Sequence, residues 1–382
     1  MLVLVFNKQL ANIACGIVLL IRRPFKVGDY IWVDSKEGEV IYMTITVTAI
    51  RNASGAIVFI SNRALKCLWR KKQSSMRKRS GHRVCCHICH AESVLLLVKN
   101  GFDLYRCKAC GVVFVSPLPD VEYLRREVYI STLYQSEKPV ELSRVRQNTK
   151  TRWILSVLRD MVAGPVLLDV GCSNGQFMYH ASHAGFQVQG VELNPGTARI
   201  AKANGLTVSV GTLAEAQFAA GSFDVITLND VIEHVPNPRS LLGECRRLLQ
   251  PKGILVIGTP NLDCLFNKLT WCAHRLLGIP WSAVTPPHHV FQFSRRSLTP
   301  LLREMGFDLK KLVAVPTSDL LYELNETEAW VAFRRGSSVQ AGIRLAVACS
   351  WYAAAYGVSR LMTLRSRDDT GLIGFWRRSR EQ

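Results

Sequence analysis

Two hydrophobic rhythms divide this chain. Beyond residue 163, short apolar runs alternate with amphipathic stretches. The runs are Val166-Leu-Leu-Asp169-Val, Gln187-Val-Gln-Gly-Val191, Phe223-Asp-Val-Ile-Thr-Leu228 and Ile254-Leu-Val-Ile257. The clearest amphipathic stretch, Leu241 to Gln250, ends at Pro251-Lys-Gly253. Buried strands alternating with helices predict an α/β domain, a parallel sheet covered on both faces. Before residue 66 the period shortens to two. Glu39 to Arg51 and Gly55 to Asn62 alternate apolar with polar between glycine turns, which predicts a small β-barrel-like fragment. Two further stretches, Gln9 to Ile21 and Ile343 to Leu361, are apolar nearly all round. The first 21 residues are interrupted by Asn7, Lys8 and Gln9, so a spanning helix there is marginal. Its charges follow the apolar run, which argues against a signal peptide. The second reads as a core or dimer helix, or as a membrane-surface helix.

The first strand of the α/β part ends in a carboxylate and a glycine-rich turn, Asp169-Val-Gly171-Cys172-Ser173-Asn174-Gly175. Gly171 and Gly175 would let the backbone approach a bulky ligand. The following helix start would face it with open N–H groups. A dinucleotide would favour no acid in that turn, because a pyrophosphate sits there. Asp169 within the turn and Glu192 about twenty residues on, placed to accept from ribose hydroxyls, favour a cationic nucleoside, S-adenosylmethionine (SAM).

In order, Asp169-Val-Gly-Cys-Ser-Asn-Gly175, Val191-Glu192, Phe223-Asp224-Val, Asp230-Val-Ile-Glu233-His234-Val, Leu248-Leu-Gln-Pro-Lys-Gly253 and Pro287-His288-His289 leading into Phe293-Ser294 resemble the class I SAM-dependent methyltransferase family, in its ubiquinone- and natural-product-type branch. Ser173 stands where many members carry a middle glycine. The resemblance implies a Rossmann-like seven-stranded sheet with its last strand antiparallel. Its strands are expected near 165–170, 187–192, 207–210, 223–228, 253–259, 307–315 and 371–376, with an apolar helical insert over 340–363. It also implies a cofactor site at Asp169, Gly171, Cys172, Ser173, Asn174, Gly175, Glu192, Leu193, Thr212, Asn229 and Asp230. His234 is the candidate general base, if the acceptor needs one; Glu233, His288 and His289 are expected on the acceptor side. The expected activity is methyl transfer from SAM to a small-molecule, sugar or lipid-linked acceptor. The alternative is a membrane-associated channel-family or scaffold protein whose methyltransferase-like domain is incidental.

Cysteines add a second feature. Cys86-His-Ile-Cys89 and Cys107-Lys-Ala-Cys110 are paired knuckles, the spacing of a structural tetrahedral zinc site, a zinc ribbon. Cys85 could replace Cys86 only with poorer spacing. The other cysteines are scattered in apolar or helical contexts, as in a reducing compartment, so a cytoplasmic location is expected, with peripheral membrane association as a second option.

Arg23-Pro-Phe-Lys-Val-Gly-Asp29 and Val58-Phe-Ile-Ser-Asn62 make residues 8–66 resemble the small-conductance mechanosensitive channel family, around the end of its pore helix and its β domain. The family's other membrane helices and its vestibule domain have no counterpart here, so the segment reads as a channel fragment joined to an enzyme. The net charge of +19 is concentrated here: residues 1–83 hold fifteen Lys/Arg against four Asp/Glu. The basic run Arg70 to Arg79 has no interleaved aromatics to stack on bases, so nucleic acid is not the expected partner. The organisation expected is 1–66 channel-like, 67–83 basic linker, 84–116 zinc ribbon, 117–162 helical lead-in and 163–382 methyltransferase domain.

Overall fold

The computed structural model describes residues 27–33, 36–44, 47–52, 55–62, 69–72, 84–99, 102–125, 140–277, 281, 283–316, 349–359, 361–362 and 369–379. The expected pore-helix end over 9–21 lies outside them, as do most of the basic linker and the flanks of the insert. The chain divides into two compact units, one of residues 1–86, 91–108 and 114–119, the other of residues 87–90, 109–113 and 120–382.

In the first unit, period-two alternation builds a five-stranded antiparallel sheet from β1 (Tyr30–Val33), β2 (Lys36–Met43), β3 (Val47–Arg51), β4 (Ile57–Ser61) and β5 (Trp69–Lys72), in the order β4-β3-β2-β1-β5. One face gathers Ile31, Val40, Ile50 and Ile60 into a core. The buried Thr48 hydroxyl donates to Asn62 Oδ1 at 2.8 Å. Strand β5 extends this sheet into the expected linker. A Lys/Arg-rich strand suits a sheet edge, where charge discourages further pairing. A second meander follows, β6 (Val84–Cys85), β7 (Glu92–Lys99), β8 (Phe102–Cys107) and β9 (Val113–Ser116), antiparallel from β6 to β8.

The second unit holds the α/β fold. Helix α1 (Thr149–Met161), capped by the Asn148 side chain on Thr151 N–H, leads into β10 (Val166–Val170). Then come α2 (Gln176–His183), β11 (Gln187–Glu192), α3 (Pro195–Ala203), β12 (Val208–Val210), β13 (Phe223–Asn229), α4 (Pro238–Leu248), β14 (Leu249–Pro260), α5 (Leu265–Leu277), the short β15 (Phe291–Gln292), α6 (Arg295–Glu304), β16 (Phe307–Val315) and β17 (Gly371–Arg378). The seven-stranded sheet has the order β12-β11-β10-β13-β14-β17-β16. Its first five strands are parallel, and β17 runs antiparallel between β14 and β16. The order reverses beside β10, so a crevice opens at the carboxyl ends of β10 and β13. Leu158, Leu167, Val225, Ile254 and Phe375 are fully buried in the core beneath. Fully burying such side chains contributes about 1.5–3 kcal/mol each.

All seven expected strands form. Strand β14 begins at Leu249, earlier than the sequence suggests, because Pro251-Lys-Gly253 is absorbed as an irregularity in its pairing with β13, with Lys252 at φ 69°. Within the expected insert, residues 349–359 are helical.

Candidate functional site

A cavity of about 780 Å³ opens at the crevice. That volume suits a cofactor together with part of an acceptor. One end is the turn after β10, where the cofactor is expected. Gly171 has φ +70°, and a Cβ there would lie 2.6 Å from Val231 Cγ2, so only glycine fits without displacement. The Gly171 and Cys172 N–H groups donate to Val191 O at 2.7 and 3.1 Å, which ties the turn to the end of β11. Glu192 completes the tie. Its Oε2 accepts from Ser173 N–H at 2.8 Å and its Oε1 from Asn194 N–H at 2.7 Å. Burial raises the Glu192 pKa, and these backbone donors oppose the rise. The carboxylate stays on the cavity wall.

Ser173 has φ 50°, a left-handed backbone that explains why glycine is common at this position. Asp169 is 3% exposed and lies behind the wall, with its Oδ1 accepting from Thr227 Oγ1–H at 2.6 Å. Burial, reinforced by Glu192, raises its pKa to about 7 despite that hydrogen bond. Cys172 is buried beneath the turn, where a Cβ on Gly190 would come within 2.7 Å of its sulfur. Burial pushes its thiol pKa far up, so it packs rather than reacts. Asn174 Oδ1 accepts from Gln176 N–H at 3.2 Å at the start of α2, and Gly175 is that helix's left-handed N-cap. Of the eleven expected cofactor residues, Gly171, Ser173, Glu192, Leu193, Thr212, Asn229 and Asp230 therefore line the cavity, while Asp169, Cys172, Asn174 and Gly175 support it from behind.

At the far end of the cofactor groove, Thr212 N–H donates to Glu215 Oε2 at 2.6 Å. Arg125 Nη2 donates to both oxygens of the same carboxylate, at 3.0 and 3.1 Å. That backbone N–H and the guanidinium hold the Glu215 carboxyl below its ordinary pKa. Val121 and Leu124, just before Arg125, form part of the cavity wall.

The other end of the cavity follows β13, where the methionine end of the cofactor and the acceptor are expected to meet. Asn229 Oδ1 is buried on the wall without a hydrogen-bond partner, an acceptor presented to whatever fills the space. Asp230 has φ 54°, donates its N–H to Gly258 O, and faces Lys150 Nζ at 3.5 Å. Glu233 is 1% exposed. Its Oε2 accepts from Thr259 Oγ1–H at 3.0 Å, and its Oε1 has no partner. Burial and the Asp230 charge raise its pKa to about 8. The main-chain oxygen of Glu233 accepts from Val290 N–H and Phe291 N–H at 2.9 and 3.0 Å, which pins the loop carrying the histidines.

His234 Nδ1 lies 2.7 Å from His288 O. A carbonyl only accepts, so Nδ1 carries the proton and Nε2 is the basic nitrogen. Burial lowers the His234 pKa to about 4. The His289 ring stands edge-on to it at 4.7 Å and lines the cavity, and burial keeps that ring neutral as well. His288 contributes its carbonyl to His234 and is absent from the wall. Donor atoms of Glu233, His234 and His289 lie within 4.8 Å of one another, a set able to hold a divalent cation.

Sequence reasoning did not find Lys150, on α1, which is the one Lys or Arg among the lining residues. It also missed Thr197, Ser240, Glu244 and Asn267 on the same wall. The cavity otherwise carries the carboxyl groups of Glu192, Asp230, Glu233 and Glu244. Its charge and shape fit SAM: carboxyl groups for a sulfonium and an ammonium, Lys150 for a carboxylate, Glu192 for a diol, and Gly171 for close approach.

Away from the cavity, the sulfurs of Cys86, Cys89, Cys107 and Cys110 all lie within 4.8 Å of one another, with Cys86 and Cys107 buried. Zinc–thiolate bonds of about 2.3 Å place tetrahedral sulfurs about 3.8 Å apart, so the cluster suits such an ion. Cys85 is exposed and outside the set.

Residues 143–312 match the family described as methyltransferase domain, and residues 8–66 match the mechanosensitive ion channel β-domain. The ubiquinone biosynthesis O-methyltransferase of Xanthomonas oryzae pv. oryzae (strain PXO99A) is 36% identical over 107 residues, which are 26% of this chain and 45% of that protein. The chain thus spans less than half the length of that relative. The enzyme of the same description from Thiobacillus denitrificans is 32% identical over 182 residues, 45% of this chain and 75% of that protein. A solved structure, the Haemonchus contortus phosphoethanolamine N-methyltransferase 2 in complex with S-adenosyl-L-methionine, is 18% identical with a TM-score of 0.43, covering 70% of this chain and 62% of its own. With its motifs in order, the seven-stranded sheet in place and a relative matched over three quarters of its length, the chain belongs to the SAM-dependent methyltransferase family.

Proposed function

We propose that this protein transfers a methyl group from SAM to a small-molecule, sugar or lipid-linked acceptor that carries a titratable hydroxyl. The observation that carries the reading is a single cavity with a diol-binding carboxylate at one end and a neutral imidazole of fixed tautomer at the other. Bound SAM supplies a methyl group already activated by its sulfonium. Glu192 accepts from the ribose hydroxyls, Thr212 borders the adenine, and Lys150 holds the methionine carboxylate. Asn229 and Asp230 line the methionine end, and the buried Asn229 oxygen accepts from the ammonium. Alignment and exclusion of water supply most of the rate.

His234 is the general base. With a pKa of about 4 the ring is neutral at rest, and its Nε2 holds no proton. Its Nε2 accepts the acceptor's proton as the new bond to oxygen forms, when that oxygen becomes strongly acidic. The carboxyl group of Glu233 lies beside the base and, once ionised, offsets the resulting imidazolium. His289 shapes the wall beside them, and the His288 carbonyl fixes the base's orientation.

The four-cysteine cluster is proposed as a structural zinc site, closed to chemistry because thiolates fill all four positions. The proposed organisation keeps a channel-like segment over 1–66, a basic stretch over 67–83, a ribbon over 84–116, a lead-in over 117–162 and the methyltransferase domain from 163, with its apolar insert over 340–363.

Calorimetry with SAM tests the cofactor reading; absence of binding heat removes it. His234→Ala is expected to lower turnover by ~10²-fold or more while leaving SAM affinity within about twofold. Unchanged turnover in that variant refutes the base role.

A further inference from the structure

We propose that the helix over 349–359 is a docking surface for an anionic phospholipid bilayer. The inference rests on the surface of this helix and the charge of the sequence around it, and is independent of the methyl-transfer reading. One side faces the protein. Tyr352 and Ala355 pack with Cys264, Phe266 and Ala273 of the α5 region, and Ser359 is buried on the same side. At about 100° per residue, the other side collects Trp351, Ala354 and Val358, and the helical residues Leu361 and Met362 continue it. These side chains are exposed: Trp351 37%, Val358 48%, Leu361 70% and Met362 55%. Ala353 and Gly357, also exposed, complete the arc; among the described residues from 351 to 362, none that is exposed is polar.

A surface helix in water puts polar residues outward; a helix apolar on both sides has its outer side covered by something other than water. The sequence around it indicates what. From Arg334 to Arg367 there are six arginines, at 334, 335, 344, 360, 365 and 367, and no Asp, Glu or Lys. An apolar face within an arginine-rich, acid-free segment has the composition of an interfacial helix on an anionic membrane. An exposed tryptophan adds an amphipathic ring suited to the headgroup level. Neighbouring α5 contributes a further outward side chain, Leu276, which is 82% exposed. That helix also supplies Asn267 to the cavity wall, so the docking face lies one helix away from the acceptor space.

The full chain is tested against sucrose-loaded vesicles of phosphatidylcholine alone and of phosphatidylcholine with phosphatidylglycerol. Sedimentation is expected with the anionic vesicles, at least tenfold weaker for Leu361→Asp, with SAM affinity unchanged. Replacing phosphatidylglycerol with its brominated form is expected to quench part of the tryptophan emission. The quenched part is expected to disappear in Trp351→Phe, which separates this helix from any contact made by the segment before residue 27. Equal sedimentation of wild type and Leu361→Asp with no Trp351-dependent quenching overturns the proposal. So does a wild-type dimer that Leu361→Asp converts to a monomer without altering vesicle binding, which makes the face a contact between two copies.

Discussion

The two ends of the cavity are built on opposite principles. At the cofactor end the wall is backbone, and its acid is already engaged: Glu192 takes one N–H from the β10 turn and one from the start of α3. Beyond β13 the wall is side chains, and two buried oxygens, Asn229 Oδ1 on the methionine side and Glu233 Oε1 on the acceptor side, take no hydrogen bond from the protein. The β10 turn is therefore held by the protein's own hydrogen bonds, whereas the β13 end presents side-chain oxygens to the donors of a ligand.

The strongest way to break this contrast is at the turn. Gly171→Ala places a methyl group against Val231 in a left-handed conformation. It is expected to cost ~2–3 kcal/mol of stability, by thermal or urea unfolding, and to abolish measurable SAM binding. A variant that binds SAM normally would show that the turn is not pre-formed.

The next test sharpens the acceptor side through pH. Glu233 has its pKa raised from the ordinary glutamate range to about 8. Its contribution to stability is thus fully present below pH 4.5 and declines as pH rises toward 8, because the unfolded chain releases its proton first. His234, lowered from 6.5 to about 4, works in the opposite sense, losing stability as pH falls from 6.5 toward 4. Above pH 6.5 the histidine is neutral in both states, and the decline belongs to the carboxyl groups. Asp169 contributes to it only up to about pH 7. Between pH 7 and 8 the ligand-free protein is expected to lose about 1 kcal/mol, and Glu233→Gln is expected to flatten that slope. An unchanged slope in the variant would place the titrating group elsewhere.

The smallest expected effect is at Ser173. Its left-handed backbone makes Ser173→Gly a gain of about 0.5–1 kcal/mol, read as a higher unfolding midpoint with SAM affinity retained.

The same contrast governs what could be read from the chain. The cofactor end was legible because a backbone-built turn needs glycines at fixed spacing, and buried strands need unbroken apolar runs. Strand β14 was read short because Pro251-Lys-Gly253 carries turn residues, yet pairing with β13 holds it extended. Asp169 was legible as an acid in the motif but not as one behind the wall, since a strand end does not reveal which way its last side chain is covered. The acceptor end was legible only in part. His288 and His289 are equivalent in sequence; the loop's hydrogen bonds to Glu233 decide that one offers its ring and the other its carbonyl. Lys150 reaches the cavity only through the docking of α1, information that no local pattern contains.

The loop that carries the histidines is moored to the main-chain oxygen of Glu233, and that residue's carboxyl group takes no part in the mooring. Evolution or an engineer can therefore rewrite the side chain at 233 without moving the loop's attachment point. The chemistry offered to an acceptor can change while the architecture around it keeps its address, one route by which a shared scaffold serves unrelated acceptors.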